Sequence, residues 1–87
     1  MTKFEKLLAR FITKPTDFTM AELEKLLANF GYTLISGGKT GGSRIRFVHN
    51  FYPPITMHKP HPKPILKRYQ LSEVFKLLKE EKLLWKT

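Results

Sequence analysis

The sequence predicts an α+β fold in which a three-stranded antiparallel sheet packs on helices. Apolar residues follow a helical spacing near both ends of the chain, and three short segments rich in β-formers lie consecutively between residues 32 and 58. Glycine or proline separates these segments. Consecutive strands with short links favour an antiparallel meander with the helices on one face, in the order α-α-β-β-β-α.

Two helices are predicted before the first strand. Apolar residues at positions 4, 7, 8, 11 and 12 form one stripe of an amphipathic helix over residues 3–13, which Pro15 ends. Thr19 and Glu22 have the spacing of a capping box that begins the second helix. This helix is expected to stop at Gly31.

Three strands and a last helix follow, with strands predicted over residues 32–35, 44–49 and 55–58. Alternation in the second strand places Ile45 and Phe47 on the buried face and Arg44 and Arg46 on the exposed face. His49 shares the parity of the buried pair and should lean toward the core. Apolar residues at positions 71, 74, 75 and 78 predict a last helix that ends near residue 81.

Length and composition indicate one domain over residues 1–87. The chain has no cysteine, so neither a disulfide nor a thiolate metal site is available, and a reducing compartment fits. There is no run of 18 apolar residues and no apolar segment typical of a signal peptide. A cytoplasmic protein without a cofactor is therefore expected.

The middle of the chain is strongly basic. Residues 25–72 contain eight Lys or Arg residues, all three histidines and no acidic residue. The net charge is +2 on residues 1–43 (six basic minus four acidic) and +7 on residues 44–87 (ten minus three). A field of one sign attracts polyanions, and nucleic acid is the commonest such partner because Lys and Arg release counterions from its phosphates. An alkaline domain with no particular partner is the alternative.

Two motifs in this basic part bear on chemistry. Gly38-Lys39-Thr40 lacks the preceding glycine and the following helix of a phosphate-binding P-loop, so a flexible inter-strand loop is the better interpretation. In His58-Lys59-Pro60-His61-Pro62 the prolines exclude a helix and no cysteine is available, which argues against a zinc site. A histidine there could instead exchange a proton with a ribose 2′-OH or a leaving oxygen, or it could merely form a hydrogen bond.

Taken together, the run Phe30-Gly31-Tyr32, the segment Gly42-Ser43-Arg44-Ile45-Arg46-Phe47, the His58–Pro62 segment and the leucine-rich C-terminal helix resemble the HicA toxins. The resemblance implies a double-stranded-RNA-binding-domain-like fold, α-β-β-β-α, with an extra N-terminal helix. Residues 19–84 would form the HicA-like core and residues 1–14 an accessory helix. It also implies an mRNA interferase that acts on RNA and is neutralised by a HicB-like antitoxin.

One position departs from the family pattern. The motif usually has His after Gly-Ser, but Arg44 follows Gly42 and Ser43 here. An arginine stays protonated and cannot act as a general base, although it can bind phosphate. The second family position is retained as His61.

The sequence therefore leaves three functions open: a metal-independent ribonuclease, a non-catalytic nucleic-acid-binding module of the same fold, and a basic domain that binds an acidic protein partner. The candidate catalytic residues are His61 and His58. The candidate nucleic-acid-binding residues are Lys39, Ser43, Arg44, Arg46, Lys59, Lys63, Lys67 and Arg68.

Overall fold

The computed structural model of the protein describes residues 2–36, 44–60 and 63–83. Within these residues the predicted α+β class and the order of the elements are confirmed. The helices are α1 (Lys3–Ile12), α2 (Met20–Asn29) and α3 (Arg68–Glu80), and the strands are β1 (Thr33–Ser36), β2 (Arg44–Val48) and β3 (Ile55–His58). No helix in the described ranges is long and apolar enough to cross a membrane.

The two N-terminal helices each begin with a capping box, at Thr2 and Glu5 in α1 and at Thr19 and Glu22 in α2. In the second, which was predicted, the Thr19 N–H donates to Glu22 Oε1 at 2.9 Å and the Glu22 N–H donates to Thr19 Oγ1 at 3.1 Å. Arg10 joins the two helices because its Nε donates to Glu22 Oε2 at 3.0 Å. The bond from Arg10, helped by those from Thr19, holds the pKa of Glu22 below its usual range.

α1 belongs to the same hydrophobic core as the sheet and α3. Phe11 of α1 is fully buried. Its ring lies 5.7 Å from that of Phe18 and 6.3 Å from that of Phe75 on α3, measured between centroids. α1 therefore packs against the rest of the protein through an aromatic cluster.

Gly31 ends α2, as predicted, and has a φ of +95° that disfavours residues with a side chain. A second constraint comes from His49, which directly follows β2 in the chain. A Cβ atom at position 31 would lie 2.7 Å from Nε2 of His49. Glycine is thus required both by the backbone conformation and by the close approach of this histidine.

The sheet is an antiparallel meander with the strand order β1-β2-β3. Burial along β2 alternates as predicted, with Ile45 and Phe47 in the core and Arg44 and Arg46 exposed. β3 buries its first and third residues in the same way. β1 is displaced by one residue from the predicted 32–35, and β2 ends one residue before the predicted 49. One face of the sheet therefore contributes to the core and the other carries the arginines.

α3 begins at Arg68, one turn before Leu71, the first residue of the apolar pattern that predicts the last helix. Lys67 precedes the helix and has no side-chain acceptor for a cap. Instead, the Lys67 N–H donates to Oε1 of Gln70 at 3.0 Å, which supplies one half of a capping box. The extra turn brings Tyr69 and Gln70 into the helix.

The segment before α3 is held against the start of α2. The Met20 N–H donates to the carbonyl of Pro64 at 2.9 Å, and the Leu66 N–H donates to the carbonyl of Phe18 at 2.8 Å. Leu66 and Phe18 are both buried. These bonds fix the direction in which α3 leaves the proline-rich segment.

Candidate nucleic-acid interface

The exposed face of the sheet brings two arginines and a histidine together. Arg44 pairs with His58 across the β2–β3 ladder, and Arg46 pairs with Thr56 one row further along. All four side chains are exposed. Directly paired residues of an antiparallel sheet have Cβ atoms about 4.5–5.5 Å apart. The Arg44 guanidinium and the His58 imidazole can therefore contact the same phosphate group.

A cleft of about 140 Å³ opens between the end of β3 and the first turns of α3. Arg44, Thr56 and His58 line it on the sheet side, and Tyr69, Gln70 and Glu73 line it on the helix side. A second groove of about 200 Å³ runs along β3 and shares Thr56, Gln70 and Glu73 with the cleft. The arginine–histidine pair thus forms one wall of a concave site.

Gln70 connects the two walls of this cleft. Its side chain is buried, with 4% of the residue exposed. Its Nε2 donates to the carbonyl of His58 at 2.9 Å, while its Oε1 accepts the Lys67 N–H. Both ends of the amide are therefore used within the protein. Gln70 positions the end of β3 against the start of α3.

His49 has a different environment from His58 and is half-buried, as its parity in the strand predicts. The Phe51 N–H donates to its Nδ1 at 3.0 Å, which requires the neutral tautomer with the proton on Nε2. That Nε2–H then donates to the carbonyl of Phe30 at 2.9 Å. The ring also lies edge-on to Tyr32 and Tyr52, with centroids 5.0 and 4.6 Å away. With both nitrogens engaged by backbone groups, His49 cannot serve as a proton-transfer residue.

The start of α3 adds positive charge next to the cleft. Lys67 and Arg68 are exposed there, and the first turn contains no acidic residue. The N-terminal end of a helix carries a partial positive charge from its free N–H groups. Lys59 and Lys63, also exposed, lie on the segment between β3 and α3. The start of α3 and the segment before it are therefore suited to phosphate.

Among the residues that the structure describes, the cations of this surface have no carboxylate partner. All seven Asp and Glu residues of the chain lie within the described residues, where both ion pairs belong to Arg10. The guanidinium groups of Arg44 and Arg46 are consequently available to an external anion. Glu73 lines the cleft but takes part in neither ion pair.

Comparison with known protein families matches residues 20–80 to the HicA toxin of bacterial toxin–antitoxin systems. The match covers 61 of the 87 residues and extends from the first residue of α2 to the last residue of α3. The chain belongs to the HicA toxin family. Comparisons with curated proteins and with solved structures gave no significant match. Membership of the HicA family implies a cognate antitoxin and an RNA substrate.

Not every predicted site residue of this HicA chain can be placed. Lys39, Ser43 and His61 lie outside the described residues, so their roles stay predictions. Arg44 and His58 line the cleft. Arg46, Lys59, Lys63, Lys67 and Arg68 are exposed around it or on the adjoining sheet face.

Sequence reasoning missed the helix side of the cleft. Tyr69 and Glu73 are four residues apart and therefore lie on one face of α3. The available signal was Gln70, three residues after Lys67, which has the spacing of the acceptor half of a capping box. Beginning the helix there would have placed Tyr69 and Glu73 together.

Proposed function

We propose that this HicA-family chain binds single-stranded RNA across the exposed sheet face and the β3–α3 cleft, and cleaves it without a metal ion by attack of a ribose 2′-OH. The observation that carries the proposal is the pairing of Arg44 with His58 at the cleft. One is a permanent cation and the other carries an imidazole, the side chain that most often transfers protons in enzymes. In metal-independent RNA cleavage, a proton-transfer group and a cation that binds the phosphate act together.

Arg44 has the role of holding the scissile phosphate, because its guanidinium is exposed in the cleft and has no carboxylate partner. His58 has the role of transferring a proton, and His61 stays a second candidate through the family resemblance. Arg46 and the lysines and arginine of the β3–α3 segment bind neighbouring phosphates. These neighbouring contacts set the affinity and carry little sequence information.

The exposed aromatic ring of Tyr69 supplies a surface for a base. The residue is 56% exposed and lines the cleft beside Arg68. Single-stranded RNA is commonly held by stacking of unpaired bases on such rings. We infer that a base next to the scissile phosphate stacks on Tyr69.

The test is incubation of the purified protein with end-labelled single-stranded RNA in EDTA, with retention and cleavage measured separately. Arg44→Gln should lower both, because it removes the phosphate ligand from the cleft. Lys6→Gln is the matched control, because it removes the same charge from an exposed position on α1, outside the family match. No RNA retention at low salt, or equal effects of the two substitutions, would contradict the proposal.

The second candidate is a non-catalytic RNA-binding module of the same fold. Arg44 supports it, because the family motif usually has a histidine at this position and arginine cannot take its place as a base. In the same experiment this candidate gives RNA retention that depends on Arg44, with intact RNA after long incubation.

A third candidate function involves the antitoxin. We infer that a HicB-like antitoxin covers the basic face with an acidic surface, since complementary charge favours association. Arg44→Glu with Arg46→Glu should then weaken binding to that antitoxin in a titration, while Lys3→Glu with Lys6→Glu should not. Equal affinities of the two double variants would contradict a role for the cleft in antitoxin binding.

A further inference from the structure

We propose that Glu73 is the general base of this site and that His58 is its general acid. This inference rests on the proposed ribonuclease function and adds a catalytic residue to it. It assigns to a carboxylate on α3 the proton-accepting role that Arg44 cannot perform.

Glu73 lies where a base for this reaction is needed, in the lining of the cleft. It is an exposed residue on α3 and lines the cleft opposite Arg44 and His58. It is the first acidic residue after Glu24 in the chain, and it joins neither of the ion pairs found among the described residues. A carboxylate repels phosphate, so its position in a basic cleft is unfavourable for binding alone. The same position suits a group that accepts a proton from a hydroxyl next to the phosphate.

Of the two histidines that the structure describes, only His58 lines the cleft. Both nitrogens of His49 are bonded to backbone groups. His58 is held at the end of β3 through its carbonyl, to which Gln70 donates, and its side chain is exposed in the cleft. Glu73 and His58 therefore lie on opposite walls, the helix and the strand. In-line displacement at phosphorus requires the base and the acid on opposite sides, next to the attacking and leaving oxygens.

The reaction is a balanced transesterification. The Glu73 carboxylate takes the proton of the 2′-OH, and the 2′-oxygen forms a bond to phosphorus. The bond between phosphorus and the 5′-oxygen of the next nucleotide breaks, and that oxygen receives the proton of the His58 imidazolium. The products are a 2′,3′-cyclic phosphate and a free 5′-OH. Arg44 binds the non-bridging oxygens, whose negative charge grows in the transition state.

The experiment measures cleavage of labelled single-stranded RNA in EDTA as a function of pH, together with RNA retention, for the parent, Glu73→Gln, His58→Gln and His61→Gln. Glu80→Gln is the matched control, because it makes the same change at an exposed residue of α3 that does not line the cleft. We expect Glu73→Gln to cleave about 10²–10⁴-fold more slowly than the parent, the usual effect of removing a general base or acid. The RNA retention of Glu73→Gln should equal or exceed that of the parent. Glu80→Gln should match the parent in both cleavage and retention.

The pH profile separates a catalytic role from a structural one. The parent should give a bell-shaped profile of kcat/KM. Glu73→Gln should lose the fall in rate at low pH, and His58→Gln should lose the fall at high pH. Mass spectrometry should find the cyclic phosphate, and a 2′-deoxy nucleotide at the cleaved position should block the reaction.

Three results would overturn the assignment. If Glu73→Gln cleaves within twofold of the parent, the carboxylate is not the base, although the ribonuclease function stands. If the fall in rate at high pH disappears in His61→Gln and remains in His58→Gln, the assignment of His58 as the general acid is wrong. If the parent retains RNA but leaves it intact, the inference and the proposed cleavage both fail, and the non-catalytic RNA-binding candidate stands. If the parent also fails to retain RNA at low salt, the proposed RNA binding fails as well.

Discussion

Arg10 and Arg44 show how the same side chain has two different roles in one small protein. Arg10 lies between α1 and α2, where it is paired with Asp17 and Glu22 at 3.1 and 3.0 Å. Arg44 lies on the open face of the sheet with no carboxylate partner and with His58 across the ladder. A paired arginine stabilises the packing of two helices, whereas an unpaired one in a cleft is free to bind a phosphate. The difference is set by the acidic neighbours of each side chain: Arg10 has two, and Arg44 lies in the stretch of residues 25–72 that contains none.

The largest expected effect is on the stability of the protein, in the region of α1 where Arg10 lies. Phe11→Ala should lower the free energy of unfolding by about 3–5 kcal/mol, because it removes a fully buried ring from the cluster with Phe18 and Phe75. Denaturant unfolding measures this directly. A change of less than about 1 kcal/mol would mean that α1 does not pack as described.

On the binding side, two exposed aromatic residues form a matched pair. Tyr69→Ala should weaken RNA binding by about 1–3 kcal/mol, the usual contribution of one stacked base. Phe51→Ala should leave affinity unchanged, because Phe51 is 86% exposed but does not line the cleft. Fluorescence anisotropy with a short labelled RNA would compare them. The stacking role of Tyr69 is wrong if both substitutions have the same effect.

The smallest effect concerns the pH dependence of stability at Arg10. The pKa of Glu22 is lowered, first by the bond from Arg10, so its contribution to stability is present above the pKa of an unfolded glutamate. It is lost as the pH falls through the lower pKa of the folded state. Arg10→Gln should therefore destabilise the protein slightly at neutral pH, as is usual for a solvent-screened ion pair, and by less in acid. Unfolding free energies measured from neutral pH down to a pH below the ordinary pKa of glutamate would test this. A destabilisation that stays constant over that range would exclude the ion pair as its cause.

The sequence predicted best the features that depend on local spacing. The Thr19–Glu22 capping box, the stop at Gly31 and the alternation along β2 all follow from rules that act within a few residues, and each is confirmed. The bounds of β3 were also predicted correctly.

The candidate site was only half predictable, for physical reasons. The arginines and His58 lie on strands whose alternation of buried and exposed residues can be predicted from the sequence. The helix wall depends on Gln70, which reaches 12 residues back to the carbonyl of His58, and no local pattern reports that contact. No local pattern reports the bonds that occupy the ring nitrogens of His49 either, because its Nε2 donates to the carbonyl of Phe30, 19 residues away. Such contacts between distant segments are decided by packing.

The most direct test of the account is the salt dependence of RNA binding for Arg44→Gln and Arg10→Gln, which lose the same charge from the two environments. The parent should lose affinity steeply as salt rises. For single-stranded RNA, Arg44→Gln should reduce the slope of log K against log salt by about 0.7, the value for one lost phosphate contact. Arg10→Gln should keep the slope of the parent, because its charge is already neutralised by Asp17 and Glu22. An affinity that does not depend on salt, or equal slopes for the two variants, would contradict the assignment of the Arg44 cleft as the RNA site.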